Sequence, residues 1–488
     1  MTQGDKTPLP APGRNCWRVA QADRFAFIVD AADYFVAARK AMLTARKSIF
    51  LVGWDFDAGI TLDEQATEGP AKLGDLIVWL ADRSPELEIR LLRWDTGAFK
   101  AMFKARTLAT IMRWKMHPRV TLKLDGAHPI AGSHHQKIVV IDDCIAFCGG
   151  IDMTTGRWDH RAHKDNDPHR RNPDGSGYTP WHDATSAFDG AAARAVGDLA
   201  RERWLAATGE RLHPADVPHD CWPDGVEPGF RDVTLAIART CPEMGDSSGV
   251  HEIEQMYLDL IGRARRYIYA ESQYFASRKI ARAIATRLQE EDGPEIVVIN
   301  PETAEGWLEP IAMDSARARL VEALRRVDRH GRFRIYHPVT AGGEPIYVHA
   351  KVMIIDDRGF RVGSSNFNNR SLRLDTECDV ILDLAGGDAT ARATVTAIRN
   401  DLLAEHLGVA PDKVDTTLAE TGSLIATVEA LRGGGRSLVP YVLPELSSTE
   451  AWLADNEILD PEGPDAMFEP LSRRGLFRGW HLPWRSRR

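Results

Sequence analysis

Short apolar runs alternate with helical periodicities along this chain, and the same succession occurs twice. The segment ARKSIFLVGWDFD (Ala45 to Asp57) sets a basic helix end before a brief apolar strand, and ARRYIYAESQYF (Ala264 to Phe275) does the same. EIRLLRWD from Glu88 then matches EIVVIN from Glu295, and RVTLKLDG from Arg119 pairs with RFRIYHP from Arg332. Next come HQKIVVIDDCIAFCGGID from His135 and HAKVMIIDDRGFRVGSSN from His349. Each reads as an apolar strand, a turn at an Asp-Asp pair and a second strand ending on small residues. Both halves then reach an acid, Asp183 or Glu377, opening a short strand, and a second acid, Asp189 or Asp383. A helix follows, with apolar positions at Ala193, Val196, Ala200 and Trp204, or at Val395, Ile398 and Leu402.

Strands alternating with helices predict an α/β fold, here two related mixed-sheet halves flanked by helices about a pseudo-twofold axis. The division this suggests is an N-terminal segment (1–34), a first half (35–208, motif 135–152), a linker rich in Pro, His and Asp (209–235), a second half (236–410, motif 349–366) and a C-terminal extension (411–488) with a basic tail.

The doubled block carries the chemistry. Residues i and i+2 of a strand share a face, so His135 projects with Lys137 and His349 with Lys351. Asp142 and Asp356 complete the HxKxxxxD spacing, but parity places them at the strand end, where capping the turn explains them better than chemistry does. A single His-x-Lys pair means little in a chain with 16 histidines; two copies at the same point of a repeat carry a signal.

That pattern suits a phosphodiester, whose phosphorus is shielded by negative oxygens. Two lysines can hold the non-bridging oxygens and offset charge in the transition state. A neutral imidazole can attack phosphorus while a second, protonated one donates to the departing alkoxide and then activates water or an alcohol. Each ring needs a partner on its other nitrogen, and Asp183 and Glu377 are the candidates. Gly149, Gly150, Gly363, Ser364 and Asn366 are read as lying on the phosphate side, bringing backbone and side-chain donors close.

These motifs, with PWHD at Pro180 to Asp183 and ESQYF at Glu271 to Phe275, resemble the phospholipase D superfamily over roughly residues 35 to 410. GGIDMTTGRWDHRAH from Gly149 resembles its two-motif lipid-hydrolysing branch of bacteria and plants. The resemblance implies a metal-independent, two-step reaction through phosphohistidine, with no cofactor. It gives the nucleophile's role to His135 and the acid–base role to His349, and groups Asp142 and Asp356 with the catalytic set. Asp183 matches the family's supporting carboxylate directly; Glu377 matches more loosely, because Asp375 lies close by. Gly150 departs from the common serine, which leaves Ser364 as the phosphate-side hydroxyl.

Composition narrows the partners. The formal net charge of −9 disfavours nucleic acid, and the expected partner is a phospholipid at a membrane surface, met by a monomer. The six cysteines, Cys16, Cys144, Cys148, Cys221, Cys241 and Cys378, form no CxxC pair. The first residues show no apolar signal core and no run is long enough to span a bilayer, so the expectation is a chain without signal peptide or membrane helix, cytoplasmic, peripheral or exported by another route. DHRAHKDNDPHRR (Asp159 to Arg171) reads as a solvated loop near the pocket mouth rather than a metal site. The tail with Phe477, Trp480 and Trp484 has the composition of an anionic-lipid anchor or of a frayed terminus. Rival functions are a superfamily nuclease, a cardiolipin synthase-type transferase and an idle lipid-binding module.

Overall fold

The computed structural model describes residues 9–95, 105–129, 132–215, 217–245, 247–305, 313–384, 388–445, 447 and 460; the basic tail lies outside them. The first half runs β1 (Arg18–Val29), α1 (Ala31–Leu43), β2 (Ser48–Gly53), α2 (Leu73–Arg83), β3 (Glu88–Trp94), α3 (Ala105–Met116), β4 (Val120–Asp125), β5 (Ile138–Ile141), β6 (Ile145–Gly149), β7 (Trp181–His182), β8 (Ala184–Asp189) and α4 (Gly190–Thr208). The second runs β9 (Phe230–Cys241), β10 (Val250–His251), α5 (Glu252–Arg263), β11 (Tyr267–Glu271), α6 (Arg278–Leu288), β12 (Glu295–Ile299), α7 (Ser315–Val327), β13 (Phe333–Val339), β14 (Tyr347–Val348), β15 (Val352–Ile355), β16 (Gly359–Gly363), β17 (Glu377–Asp383) and α8 (Ala389–Leu407). Helices α9 (Pro411–Thr421) and α10 (Leu424–Leu431) and strand β18 (Ser437–Pro440) follow.

Strand order makes the duplication explicit. Along one mixed sheet the order is β18-β13-β12-β11-β15-β16-β17-β9-β1-β8-β6-β5-β2-β3-β4. Reading outward from the centre, β1, β8, β6, β5, β2, β3 and β4 mirror β9, β17, β16, β15, β11, β12 and β13. The centre is an antiparallel pairing of β1 with β9, from Arg18 opposite Ile237 to Phe25 opposite Phe230. The repeat therefore starts earlier in each half than its motifs suggest. β1 falls in the stretch set apart as an N-terminal segment, and β9 opens inside the stretch read as linker. β18, from the C-terminal extension, pairs antiparallel with β13 and extends the second half's edge.

Three cores hold the layers. The central one packs α4 and α8 between the halves, with Trp204, Phe188, Leu402 and Leu403 fully buried. Helices α1, α2 and α3 cover the first half's outer face, and α5, α6 and α7 the second's. β5 shows why the motif strands are apolar throughout: Ile138 and Val140 enter the central core while Val139 and Ile141 enter the outer one. A strand buried on both faces reads as a continuous Val/Ile run, and β15 repeats this with Val352 and Ile354 against Met353 and Ile355. Such strands hold the residues just before them in a fixed place, and those residues are His135 to Lys137 and His349 to Lys351.

Candidate active site

Extended backbone threads the two motifs against the opposite halves. His135 N–H donates to the Thr376 carbonyl at 2.9 Å, and His349 N–H to the His182 carbonyl at 2.8 Å. β14 pairs with β7 in parallel, Tyr347 opposite Trp181 and Val348 opposite His182. The consequence is an exchange of carboxylates. His135 Nδ1 lies 3.0 Å from both carboxylate oxygens of Glu377, a second-half residue, and His349 Nδ1 lies 2.6 Å from Asp183 Oδ2, a first-half residue. Each half supplies one imidazole and the acid that orients the other's. Asp375, the competitor for Glu377, is committed elsewhere: it accepts from Ser133 N–H at 2.7 Å and pairs with Arg370.

Both acids are fully buried, as are the lysines. Lys137 Nζ donates to the His135 carbonyl at 3.1 Å and pairs with Asp152 at 3.0 Å. Lys351 Nζ donates to the His349 carbonyl, with Gln273 Oε1 at 3.4 Å. Burial first, then the charges of Lys137 and Lys351, hold His135 well below the usual imidazole range. Burial and the Lys351, Arg157 and Lys137 cations do the same to His349. Burial lowers Lys351 to about 7, against the pull of Asp183, and pushes Glu377 up to about 8 in spite of its bond from Ser364. Both imidazoles are thus buried and held toward the neutral form by the cations around them.

Around them, Trp54 meets His135 edge-on with ring centres 5.8 Å apart, and Trp181 lies 5.1 Å from the His349 ring. The Arg157 guanidinium stacks over Trp181 at 4.0 Å. Arg157, Asp152 and Gln273 went unremarked in the sequence, although GGIDMTTGRW and ESQYF contain them. A doubled acid/amide at the motif's end, Asp152 against Asn366, was the available signal.

The remaining motif residues divide by what they touch. Asp142 accepts from the backbone N–H groups of Arg46, Lys47 and Ser48, and Asp356 from those of Arg265, Arg266 and Tyr267. Both sit at the far end of their strands with left-handed φ near +50°, fixing the entries to β2 and β11. The catalytic grouping of these two aspartates is corrected accordingly. Gly149 and Gly363 lie close against Thr185 and Asp379, where a Cβ would meet neighbouring atoms at 2.3 and 2.1 Å. A Cβ on Gly150 would stand 2.2 Å from Asp183 Oδ1, so the missing serine makes room for the carboxylate that holds His349. Ser364 does not present its hydroxyl as a phosphate-side donor: its Oγ donates to Glu377 at 2.5 Å and accepts from Cys378 N–H at 3.0 Å. Asn366 is buried, its Nδ2 3.4 Å from Gln273 Oε1 and its Oδ1 without a hydrogen-bond partner.

The 159–171 stretch departs in part from its reading as a solvated loop. Asp159, His163, Asp167 and Arg170 are buried, and Arg170 pairs with Asp159, while Ala162, Lys164, Asn166, Pro168, His169 and Arg171 are exposed. His160, Lys164, Asp167, Pro168, His169 and Arg171 line an open groove of about 1420 Å³ beside α1, which reaches neither His135 nor His349.

Duplicated sheet halves that exchange the carboxylates behind paired His-x-Lys motifs define a class of two-in-one folds with one paired-histidine site. Comparison with known proteins specifies it. Residues 41–220 match the family model for phospholipase D, and residues 257–396 match that of the cardiolipin synthase, PLD-like domain. The chain belongs to the phospholipase D superfamily, a family of enzymes. Among curated relatives, phospholipase D A of Dictyostelium discoideum is 26% identical over 78% of this chain and 35% of its own length. Phospholipase D alpha 1 of Carica papaya is 24% identical over 76% of this chain and 63% of its own. The chain thus spans from a third to under two thirds of these relatives. The solved structure of phosphatidylserine synthase from Haemophilus influenzae shares the fold, with a TM-score of 0.55 at 16% identity, covering 85% of this chain and 96% of that one. No helix among the described residues is long and apolar enough to cross a membrane.

Proposed function

We propose that this chain is a phospholipase D-type phosphodiesterase that hydrolyses glycerophospholipids to phosphatidic acid and a headgroup alcohol, transferring the phosphatidyl group when an alcohol competes with water. The observation that carries the reading is the crossed pairing of His135 with Glu377 and His349 with Asp183. Held through Nδ1, each ring keeps Nε2 for chemistry.

The reaction follows from the pocket. An anionic phosphodiester enters between Lys137 and Lys351, which gather its non-bridging oxygens. Its negative charge offsets the lysines that keep the imidazoles neutral, so His349 gains basicity once substrate binds. His135 Nε2 attacks phosphorus, a P–N bond forms as the P–O bond to the headgroup breaks, and His349 gives its proton to the leaving oxygen. His349 then takes a proton from water or an alcohol, whose oxygen displaces His135 and restores it. Relatives named phospholipase D favour hydrolysis of this kind.

A phosphatidyl transferase is the second reading, favoured by the cardiolipin synthase-like match over the second half and by the phosphatidylserine synthase neighbour. Vesicles of single phospholipids, assayed for free headgroup and for lipid product with and without a primary alcohol, separate the two. Phosphatidic acid formed in water alone supports the hydrolase; product formed only when an acceptor alcohol is present supports the transferase. Cleavage of short DNA with every lipid left intact would replace both by a nuclease.

A further inference from the structure

Directly behind Asp183, outside the residues given catalytic roles, four side chains from both halves converge. Asp30 comes from the β1–α1 junction, His163 from the 159–171 stretch, His182 from β7 and Glu405 from α8, and all four are buried. His163 Nε2 lies 3.1 Å from Glu405 Oε1 and 3.5 Å from Asp30 Oδ2. His182 Nδ1 lies 2.8 Å from Glu405 Oε1 and 3.4 Å from Asp30 Oδ1. Tetrahedral nitrogen and oxygen ligands about 2.0–2.1 Å from a metal stand about 3.3 Å apart, which falls within this range.

Two further observations point to a ligand. Asp30 Oδ2, inside the cluster, has no hydrogen-bond partner although its residue is only 1% exposed. The outward nitrogen of each imidazole is tied to a second carboxylate: His163 Nδ1 to Asp159 Oδ2 and His182 Nε2 to Glu271 Oε2, both at 3.0 Å. Those acids are themselves held, Asp159 by Arg170 and Trp181 N–H, Glu271 by the Tyr269 hydroxyl and His406. Imidazoles backed by carboxylates are the usual outer shell of a metal centre.

Among the described residues, Asp30, Asp159, Glu271 and Glu405 meet two guanidinium groups in bonding contact, Arg170 on Asp159 and Arg161 on Glu405. The two negative charges left over in the interior are balanced either by His163 and His182 as imidazolium ions or by a divalent cation that leaves both imidazoles neutral.

We propose that Asp30, His163, His182 and Glu405 bind one divalent transition-metal ion, zinc by the donor set, as a structural tie between the two halves. Asp30 Oδ1 also accepts from Asp183 N–H at 3.1 Å, so the ion would brace the carboxylate behind His349 without touching substrate. This inference is independent of the lipid reading.

The full chain, grown with zinc and purified without chelator, is assayed for metal by mass spectrometry and for ligands by X-ray absorption at the zinc edge. About one equivalent is expected, with a nitrogen and oxygen shell free of sulfur. His163→Gln is expected to lose it, whereas Cys144→Ser with Cys221→Ser, which removes the separate Cys144, His219 and Cys221 group, keeps it. Should His163→Gln fail to fold, the wild-type absorption spectrum decides alone. Less than about a tenth of an equivalent in folded chain, with no rise in Tm on adding zinc, overturns the proposal in favour of paired imidazolium ions. A sulfur-containing shell, or loss of metal with the cysteine variant, overturns it as well. His135→Ala retains the metal, so a chain that binds zinc but turns over no phosphodiester sinks the lipid reading and leaves this one standing.

Discussion

The two halves place the same parts around the two histidines and then differ by single residues. At the end of the first motif Asp152 pairs with Lys137; at the equivalent position of the second stands Asn366, and Lys351 has the Gln273 amide oxygen and the His349 carbonyl. Both lysines are buried, yet only Lys351 lacks a carboxylate in contact, and burial brings it to about 7. At the preceding turn Gly150 stands where the other half has Ser364. The glycine admits Asp183 at close range, and the serine holds Glu377 by its hydroxyl. His349 is almost enclosed, at 3% side-chain exposure, while His135 retains 12%. The frame is thus symmetric, and the residues at the ends of β6 and β16 make its two sides unequal, which is what the proposed division between a nucleophile and an acid requires.

The largest effects test that inequality. His135→Ala should lower turnover of any phosphodiester about 10⁴-fold or more, since no other group can take the phosphoryl. His349→Ala should be as severe in steady turnover, but on an ester with a nitrophenol leaving group, which departs without a proton, it should still release a burst of about one nitrophenol per enzyme, which His135→Ala should not. An equal burst from both variants would make the halves interchangeable. Next, Glu377→Gln and Asp183→Asn remove the carboxylates that orient the rings, and each should cost about 10²- to 10⁴-fold in kcat with the Tm monitored alongside.

A smaller effect concerns pH. A lysine is cationic below its pKa, so phosphate binding through Lys351 is present at low pH and lost as pH rises through about 7. The free enzyme's kcat/KM should therefore fall on that alkaline limb. Asn366→Asp gives Lys351 the carboxylate that Lys137 already has, and should move the limb upward by about one pH unit or more; an unmoved limb assigns it to another group. The smallest effect is on stability alone. Asp356→Asn weakens the charge-assisted bonds to Arg265, Arg266 and Tyr267 and should cost about 2 kcal/mol, read as a lower Tm with an unchanged pH profile.

What the sequence exposed, and what it hid, follows from the physics of each position. His135, Lys137, His349 and Lys351 were legible because strands buried on both faces must be apolar without interruption, which makes polar residues at their start conspicuous. Asp183 and Glu377 were legible from their equivalent places in the repeat. That each would serve the other half's histidine was not, because linear order carries no record of which strands meet. β1 and β9 are not recognisable as a repeat in the sequence: RVAQADRFAFIV and FRDVTLAIARTC share a position at the pseudo-twofold axis but little sequence. Ser364 was misplaced because spacing alone cannot tell a hydroxyl facing substrate from one facing a carboxylate. The composition of the 159–171 stretch predicts a solvated loop, and it does not reveal that ion pairs such as Asp159 with Arg170 carry some of its charged residues into the interior.

The central claim, that His135 takes the phosphoryl group while His349 handles protons, is tested most directly by acid-labile phosphohistidine trapping. Wild type and His349→Asn are quenched during reaction with a radiolabelled phosphodiester carrying a nitrophenol leaving group, digested under alkaline conditions, and the labelled peptide is sequenced. The account predicts label on His135 in both, accumulating in the variant because the second displacement is blocked. Label on His349, or steady turnover in wild type with no histidine ever labelled, would contradict it.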